Sequence, residues 1–466
     1  MNKNYDIAII GAGPAGMAAA ITASKEASVI VINNRPQAGG QIYNKLAQSP
    51  LEKPQTLGPD YTKGLPLLEQ FESCSAEKIH GASVWHAGDN GEVLISEDGH
   101  TKKISARHLV IATGAMERPF PISGWQLDGV MTAGSAQVML KSEGLVRENA
   151  IFAGTGPLLY LIVAQYLRLG VKVAAIIDTT PMVNYIQAST SAIGAIRMPK
   201  MITKGIGLLA EIAKSGTPFY RFAKDLQVTE QDGKASGVQF KANGKTVKLE
   251  SQDIFLHQGV VPNLNMARSM DLPMQWDEVQ LCWKPILNSW GQSKIEHISV
   301  AGDSSGIVGA DGSEMMGYLV GLNLLHQLKY ISKEERDQKA KPFRQEFNRQ
   351  SAFRPFAEKL YRPIDSHRLP SDDSVVVCRC EEVLLGELKE GFRQGATDPN
   401  QLKNLTRCGM GPCQGRMCGH TVSELVAQWN QQTVAEAGYY RLRSPMQLLT
   451  LQELSLFTEI RPGDRK

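Results

Sequence analysis

The sequence YDIAIIGAGPAGMAAAITASKEASVIVINN, residues 5–34, decides the fold of the first part of the chain. It reads as an apolar strand, a glycine turn, an alanine-rich helix and a second buried strand. The pattern G-x-G-x-x-G is satisfied by Gly11, Ala12, Gly13, Pro14, Ala15 and Gly16. The first glycine permits the turn, the second lets backbone amides reach a pyrophosphate, and the third lets the helix pack on the strand. The sequence therefore predicts a dinucleotide site at the N-terminus of this helix.

The same order of elements recurs at residues 150–178, AIFAGTGPLLYLIVAQYLRLGVKVAAIID. The repeat predicts a second dinucleotide-type domain. Gly154 and Gly156 supply the first two glycines, but Leu159 stands at the third, and Asp178 ends the next strand where a ribose-binding acid belongs. We expect this domain to keep the fold and to bind an adenine nucleotide weakly, structurally or not at all. A working NAD(P)H hydride-donor site is the less favoured interpretation.

Two later motifs follow the first glycine turn in a familiar order. Ala112, Thr113 and Gly114 end a predicted strand, and Gly302 and Asp303 open the glycine-rich entry to a long helix. This order resembles the two-dinucleotide-domain flavoproteins, in which both motifs line the FAD. The resemblance implies FAD in the first site, with Asp303 bonded to the ribityl or pyrophosphate region.

The end of the second strand departs from that pattern. Where an acid normally holds the adenosine ribose, about 20 residues past the glycines, this chain has Asn33 and Asn34. An asparagine still accepts a hydrogen bond from a hydroxyl, but a neutral acceptor is weaker than a carboxylate. We therefore expect reduced affinity for the adenosine part of the cofactor.

Five of the seven cysteines lie in the last fifth of the chain: Cys378, Cys380, Cys408, Cys413 and Cys418. The first two form C-x-C at the end of a predicted strand, and the last three are each separated by four residues. Such clustering favours a metal site over disulfides, because reduced thiols serve as thiolate ligands. A 2Fe-2S cluster and a zinc ion both take four thiolates, so the spacing leaves both open. No C-x-x-C pair occurs near either dinucleotide domain, which excludes thioredoxin-reductase-like dithiol chemistry.

The cysteine pattern resembles the bacterioferritin-associated ferredoxin-like 2Fe-2S domain, in the variant with a longer gap between the last two ligands. The resemblance implies that Cys378, Cys380, Cys413 and Cys418 are the cluster ligands. It leaves Cys408 as an alternative that replaces one of them.

Together with the turn GGQIY, in which Gly40 and Gln41 belong to the expected FAD site, these modules resemble one group along nearly the whole chain. The group comprises the A subunits of opine oxidases and their relatives, including proline or hydroxyproline dehydrogenase subunits and a hydrogen cyanide synthase subunit. The resemblance implies a heteromeric enzyme acting on the C–N bond of an amino acid, imino acid or opine. A beta-type flavoprotein subunit would oxidise the amine, and this chain would relay electrons to a downstream acceptor.

Two other functions remain open. A self-sufficient NAD(P)H-dependent reductase would use Asp178 and send electrons out through the cluster. A non-enzymatic redox or cluster-carrier protein would keep its nucleotide folds as vestiges. No catalytic base is assigned among the nine histidines. We expect His257, at the end of a predicted strand, to be satisfied by the backbone rather than to border the flavin.

The 466 residues are too many for one ordinary core, and we expect an α/β fold of several parts. Residues 1–120 and 250–331 are assigned to a discontinuous FAD-binding domain, 121–249 to the second dinucleotide domain, 332–372 to a helical connector, 373–435 to the 2Fe-2S domain and 436–466 to a C-terminal tail.

The composition is that of a globular protein, with 42% hydrophobic and 21% charged residues. A formal net charge of +3 gives no electrostatic reason for a nucleic-acid partner. The N-terminus imitates an export signal, but Asp6 and Pro14 interrupt it, and glycines break the apolar stretch 151–167. We expect no transmembrane segment and a cytoplasmic location, with attachment to the inner membrane only through partners.

Overall fold

The computed structural model describes residues 4–196 and 198–462. The strands in chain order are β1 (Tyr5–Ile10), β2 (Val29–Asn33), β3 (Glu77–His80), β4 (Ser83–Ala87), β5 (Glu92–Glu97), β6 (His100–Ile111), β7 (Ala115–Glu117), β8 (Val130–Thr132), β9 (Ala150–Thr155), β10 (Val173–Asp178), β11 (Phe219–Tyr220), β12 (Lys224–Gln231), β13 (Lys234–Ala242), β14 (Lys245–Glu250), β15 (Ile254–Gln258), β16 (Val260–Pro262), β17 (Met274–Asp277), β18 (Cys282–Pro285), β19 (Ile298–Val300), β20 (Val376–Cys378), β21 (Val383–Leu384) and β22 (Phe457–Glu459).

The α-helices in chain order are α1 (Pro14–Ala23), α2 (Pro59–Thr62), α3 (Leu65–Ser73), α4 (Ala133–Glu143), α5 (Pro157–Arg168), α6 (Met182–Ser189), α7 (Ala192–Ile196), α8 (Pro199–Lys214), α9 (Asn265–Ser269), α10 (Gly309–Gln327), α11 (Lys333–Ser351), α12 (Arg354–Leu360), α13 (Asp365–Arg368), α14 (Leu385–Arg393), α15 (Pro399–Thr406), α16 (Gly419–Asn430), α17 (Val434–Ala437) and α18 (Leu451–Ser455). Short 3-10 helices occupy Leu46–Gln48, Pro54–Leu57 and Gly302–Ser305. Within the described ranges, no helix is both long and apolar enough to cross a bilayer.

The first sheet is built around β1, which lies between β2 and β6 in parallel register. Its strands run in the order β3, β2, β1, β6, β5 and β4, and β19 pairs in parallel with the end of β6. β1 and β2 are almost wholly buried, as expected of parallel strands covered on both faces. Helices α1 and α10 pack so closely that a β-carbon at Gly317 would lie 2.2 Å from the carbonyl oxygen of Ala15. Small residues on both helices make this approach possible.

The second sheet contains the repeat of the first motif. Its parallel strands run in the order β11, β10, β9, β15 and β8. Strand β15 pairs with β9 and β8, although the expected division placed residues 250–331 in the first domain. The chain therefore leaves the second sheet only after Gln258, through the antiparallel ribbon of β16 and β7. The two parallel sheets are the two dinucleotide-type folds that the repeat predicted.

The connector between α10 and β20 is helical, and it contacts α10 on one side and α6 on the other. Helix α11 stacks Phe343 on Tyr318 of α10, with ring centroids 4.5 Å apart. The loop after α12 is held by Asn184 of α6, whose amide donates to the carbonyl oxygens of Leu360 (3.1 Å) and Arg362 (2.8 Å). The connector thus covers one side of the second dinucleotide domain.

The cysteine-rich module packs on the first sheet and also contacts the segment between β7 and β8. The indole nitrogen of Trp125 donates to the carbonyl oxygen of Val376 at 2.7 Å. The tail that follows also returns to the first sheet, where β22 pairs in parallel with β6. Residues 436–462 are therefore part of the packed structure.

A buried histidine of the connector gives a pH-dependent prediction. His367 is 3% exposed, its ring lies 4.8 Å from that of Phe120, and burial lowers its pKa to about 4. The unfolded chain, with a histidine pKa near 6.5, binds the proton more tightly than the folded chain, so stability falls as pH drops from about 6.5 towards 4. Between pH 7 and pH 5, we expect the free energy of unfolding of wild type to fall by roughly 2 kcal/mol more than that of His367→Gln.

Denaturant unfolding of both proteins at the two pH values measures this difference. His100→Gln, at an exposed position, is the matched control and should follow wild type. Equal losses in wild type and His367→Gln would contradict the prediction.

Candidate functional site

The first glycine turn is shaped by close backbone contacts. Gly11 has a φ of +110°, and a β-carbon there would lie 2.4 Å from the carbonyl oxygen of Ala112. A β-carbon at Gly16 would lie 1.9 Å from the carbonyl oxygen of Gly11, so only glycine lets α1 pack on the turn. At Gly13 the nearest atom is the α-carbon of Gly40, at 3.8 Å. The middle glycine is therefore open on the side from which a pyrophosphate approaches the start of α1.

The late glycine-aspartate motif lies beside this turn. Gly302 has a φ of +73°, and a β-carbon there would lie 2.8 Å from that of Ala15. One carboxylate oxygen of Asp303 accepts from the amides of Val308 and Gly309, both at 2.8 Å. The predicted FAD residues thus meet at the carboxyl ends of β1, β6 and β19, where nucleotides bind in such sheets.

The two asparagines after β2 differ in their surroundings. Asn33 is buried, and its amide donates to the carbonyl oxygens of Arg35 (2.9 Å) and Gln37 (2.8 Å). Asn34 is exposed beside it. The amide nitrogen of Asn33 is used to hold the turn, so the side-chain oxygen is the group left to accept from a ribose hydroxyl.

Sequence reasoning missed Lys141, which fixes the GGQIY turn. Its ammonium donates to the carbonyl oxygen of Ile42 (2.9 Å) and to the side-chain oxygen of Gln137 (3.1 Å). Burial lowers its pKa to about 7. A single lysine on a helix carries no sequence signal of this role, because Ile42, its partner in the turn, is 99 residues away. Lys141 holds Gln41 and its neighbours beside the open middle glycine.

A hydrogen-bonded histidine–carboxylate pair lies beside the second glycine turn. Nδ1 of His257 lies 2.6 Å from Oε1 of Glu117, and the other oxygen of Glu117 accepts from the amide of Gly134 at 2.8 Å. A β-carbon at Gly156 would lie 2.9 Å from Nε2 of His257. His257 is buried, as expected, but its partner is a carboxylate side chain and not the backbone. Glu117, on the ribbon between the two sheets, gave no sequence signal.

Asp178 is covered rather than open to a ligand. It is 1% exposed, burial raises its pKa, and Tyr160 lies beside its carboxylate. Tyr361 of the connector packs on Tyr160, with ring centroids 6.2 Å apart. Leu159, at the third glycine position, is fully buried in the core. A ribose would have to displace these tyrosines to reach Asp178.

The five clustered cysteines lie together in space. The sulfurs of Cys378, Cys408 and Cys418 are all within 4.8 Å of one another, and these three residues are buried. Cys380 and Cys413 are half-buried neighbours, and burial together with the Cys413 thiol raises the pKa of Cys380. Cys408, which the resemblance treated as the alternative ligand, therefore lies within 4.8 Å of Cys378, as Cys418 does.

This cysteine group fits an iron–sulfur cluster. Hydrogen bonds among the three buried thiols lower the pKa of Cys378 and raise those of Cys408 and Cys418, so the three sulfurs interact directly at one site. The hydroxyl of Tyr440 donates to the sulfur of Cys408 at 3.3 Å. A β-carbon at Gly409 would lie 2.7 Å from the Tyr440 ring. A glycine loop therefore packs closely around the ring of Tyr440 beside the buried sulfurs.

The flavin-type site and the cysteine group are joined by a short run of hydrogen bonds. The backbone amide of Asn263 donates to the carbonyl oxygen of Gly114 at 2.9 Å. The hydroxyl of Thr113 donates to the backbone carbonyl oxygen of Asn263 at 3.2 Å. Two residues later, the side-chain amide of Asn265 donates to the backbone carbonyl oxygen of Gln414 at 3.4 Å. Gln414 is next to Cys413 in the chain. The two candidate sites therefore lie on either side of the start of α9.

Comparison with known proteins identifies the domain that contains each candidate site. Residues 5–317 match the family described as pyridine nucleotide-disulphide oxidoreductase, and residues 376–428 match the BFD-like [2Fe-2S] binding domain. The chain is 36% identical to the opine oxidase A subunit of Rhizobium meliloti, over 98% of this chain and 88% of that protein. It is 27% identical to the HcnB subunit of hydrogen cyanide synthase from Pseudomonas aeruginosa, over 88% of this chain and 90% of the relative.

Among solved structures, L-proline dehydrogenase from P. horikoshii matches 97% of this chain and 79% of its own chain, with a TM-score of 0.72 at 20% identity. Thioredoxin reductase of T. acidophilum matches 70% of this chain and 99% of its own, with a TM-score of 0.51 at 17% identity. These likenesses concern the fold. The matches confirm the predicted fold class and the predicted FAD and 2Fe-2S cofactors, and they decide between iron–sulfur and zinc.

Proposed function

This chain belongs to the pyridine nucleotide-disulphide oxidoreductase family and, within it, to the opine oxidase A subunits, and from this premise we propose that it is an electron-relay subunit. It is an FAD-dependent oxidoreductase with a 2Fe-2S-binding domain. The proposed enzyme is a heteromeric dehydrogenase acting on the C–N bond of an amino acid, imino acid or opine. A beta-type flavoprotein subunit oxidises the substrate, and this chain passes the electrons to a downstream acceptor.

The observation that carries the proposal is the contact between the two cofactor sites. Flavins accept electrons in pairs and 2Fe-2S clusters pass them singly. A chain that holds both therefore couples two-electron transfer to one-electron transfer. Asn263 fixes the Thr113–Gly114 turn, and Asn265 fixes the Gln414 turn beside Cys413. These residues set the separation of the two sites, and three of the five cysteines of the second site are buried.

We propose the following cofactor residues. FAD is bound by Gly11, Gly13, Pro14, Ala15, Gly16, Asn33, Asn34, Gly40, Gln41, Ala112, Thr113, Gly114, Gly302 and Asp303. The cluster is bound by Cys378, Cys380 and Cys413, with Cys418 as the fourth ligand and Cys408 as the alternative. Gly154, Gly156 and Asp178 mark the second nucleotide fold.

The test is an anaerobic absorbance spectrum of the purified chain, with flavin and iron assayed, before and after addition of NADH. The covered Asp178 supports an outcome in which NADH leaves the flavin oxidised. Rapid bleaching would instead favour the self-sufficient NAD(P)H reductase. A chain without tightly bound FAD would favour the cluster-carrier function. Amine oxidation by the isolated chain would remove the need for a partner.

Exposed apolar side chains support the proposed partner. They lie on three consecutive helices, α6, α7 and α8, and are Met182, Val183, Ile186, Ile193, Ile196, Ile206 and Leu209. Soluble proteins rarely leave large apolar patches uncovered, and such patches mark protein interfaces. Residues 179–210 contain no acidic residue, which favours an acidic partner face.

We expect the combined change Ile186→Ser, Ile196→Ser and Ile206→Ser to reduce, at least tenfold, the recovery of the co-expressed substrate-oxidising partner. Flavin and iron contents should stay at wild-type levels, because these side chains are exposed and none is among the proposed cofactor residues. Quantitative co-purification measures the effect, and Val279→Ser, another exposed aliphatic position, is the control. Undiminished recovery would exclude this surface as the interface with the partner.

A further inference from the structure

Arg268 of α9 lies between the flavin-binding part of the chain and the cysteine module. Its guanidinium stacks on two aromatic rings, 4.8 Å from the centroid of Trp283 and 4.2 Å from that of Tyr439. Trp283 belongs to β18, and Tyr439 follows α17 in the C-terminal tail, which contacts the cysteine module. The stack therefore joins the two parts of the structure through a positive charge.

This charge has no anionic partner in the part of the chain that the structure describes. Nε and Nη2 of Arg268 are buried without a hydrogen-bond acceptor, and burial lowers its pKa to about 10, with no carboxylate opposing that shift. The guanidinium is therefore still charged at neutral pH. An uncompensated buried cation costs several kcal/mol in a folded protein. The loaded protein must offset this cost elsewhere.

Two other buried arginines show what the usual compensation is. Arg118 donates to the carbonyl oxygens of Leu281 (2.8 Å) and Gln280 (2.7 Å). Arg368 pairs with the carboxylates of Asp365 and Glu424. Among the described residues, Nε and Nη2 of Arg268 have no carbonyl or carboxylate acceptor, and the cation–π contacts supply only part of the missing interaction.

The aromatic groups next to Arg268 contact the loop that carries the cysteines. The hydroxyl of Tyr439, on which it stacks, donates to the carbonyl oxygen of Gly415 at 3.3 Å. The neighbouring Tyr440 donates to the sulfur of Cys408 at 3.3 Å. On the same helix as Arg268, Asn265 donates to the carbonyl oxygen of Gln414. The ring of Tyr439 therefore lies between the cation and the turn that joins Cys413 to Cys418.

We propose that Arg268 is the counter-charge of the iron–sulfur cluster and raises its reduction potential. A 2Fe-2S cluster with four thiolate ligands is anionic and gains a further negative charge on one-electron reduction. A fixed cation in a low-dielectric site favours the more negative, reduced form. Arg268 acts through this field and is a positioning residue. The inference depends on the bound cluster and not on the identity of the partner or substrate.

The test is an anaerobic redox titration of the full chain, with the reduced cluster followed by electron paramagnetic resonance. We expect Arg268→Gln to lower the equilibrium constant for cluster reduction at least tenfold, about 59 mV for a one-electron couple. Arg268→Lys keeps the charge and should recover most of that shift. Arg393→Gln, which removes an exposed and paired arginine of the same module, should leave the midpoint unchanged.

An unchanged midpoint in Arg268→Gln, or an equal shift in Arg268→Lys, would overturn the proposal, because the second result would assign the effect to packing. A second measurement holds even where the glutamine variant retains little cluster. Removal of iron should lower the melting temperature less in Arg268→Gln than in wild type, since the variant has no cation to leave uncompensated. Equal losses of melting temperature in wild type and Arg268→Gln would also contradict the proposal that Arg268 is the counter-charge.

Discussion

Cys378→Ser is expected to abolish the iron–sulfur signal of the purified chain and to leave its flavin in place. Cys378 is the member of the group that the other two buried thiols contact, and its pKa is lowered by their hydrogen bonds. A serine hydroxyl is not a thiolate at neutral pH and replaces such a ligand poorly. Iron should fall to background, while flavin remains stoichiometric because the FAD residues lie on the other side of α9.

The same substitution at the other cysteines determines the ligand set. Cys380→Ser and Cys413→Ser should also lose the iron, since this neighbouring pair supplies the more exposed side of the site. The resemblance predicts loss in Cys418→Ser and retention in Cys408→Ser. The reverse would make Cys408 the fourth ligand. Cys74→Ser, far from the cluster in sequence, is the control. Full iron in Cys378→Ser would contradict the proposed site itself.

The fold could be predicted from the sequence because its decisive elements are local. Each dinucleotide motif is a strand, a glycine turn and a helix within 30 residues, and parallel strands buried on both faces leave a plain apolar run. The point at which the chain returns from the second sheet to the first was harder to predict. Strand β15 is apolar like its neighbours, and only pairing with β9 assigns it to the second sheet.

The side-chain partners in the site could not be predicted, because they join distant parts of the chain. Lys141 contacts the turn at Ile42, and His257 pairs with Glu117, 140 residues earlier. The sequence gives each of these residues an ordinary surface or core interpretation. The covering of Asp178 by Tyr361 was likewise invisible, because the connector carries no motif. The sequence therefore locates the cofactors, and the tertiary packing decides which nearby groups are charged and which are closed off.

Gly13→Ala should reduce FAD affinity by about a hundredfold, or about 2.7 kcal/mol, without unfolding the protein. Gly13 has a φ of −80°, which alanine adopts freely, and a β-carbon there would lie 3.8 Å from its nearest neighbour, the α-carbon of Gly40. The apoprotein therefore has room for the methyl group. The same methyl group stands between the backbone amides at the start of α1 and the pyrophosphate, which needs close contact with them.

Gly16→Ala separates this effect from a loss of packing. Its β-carbon would lie 1.9 Å from the carbonyl oxygen of Gly11, so that variant should lose both thermal stability and FAD. Gly205→Ala, exposed on α8 with no atom within 4 Å of the added carbon, should lose neither. Flavin fluorescence titration of the apoproteins and their melting temperatures measure the two quantities. Wild-type affinity in Gly13→Ala would place the pyrophosphate elsewhere, whereas lost affinity at unchanged apoprotein stability identifies the middle glycine as the point where the cofactor meets the backbone.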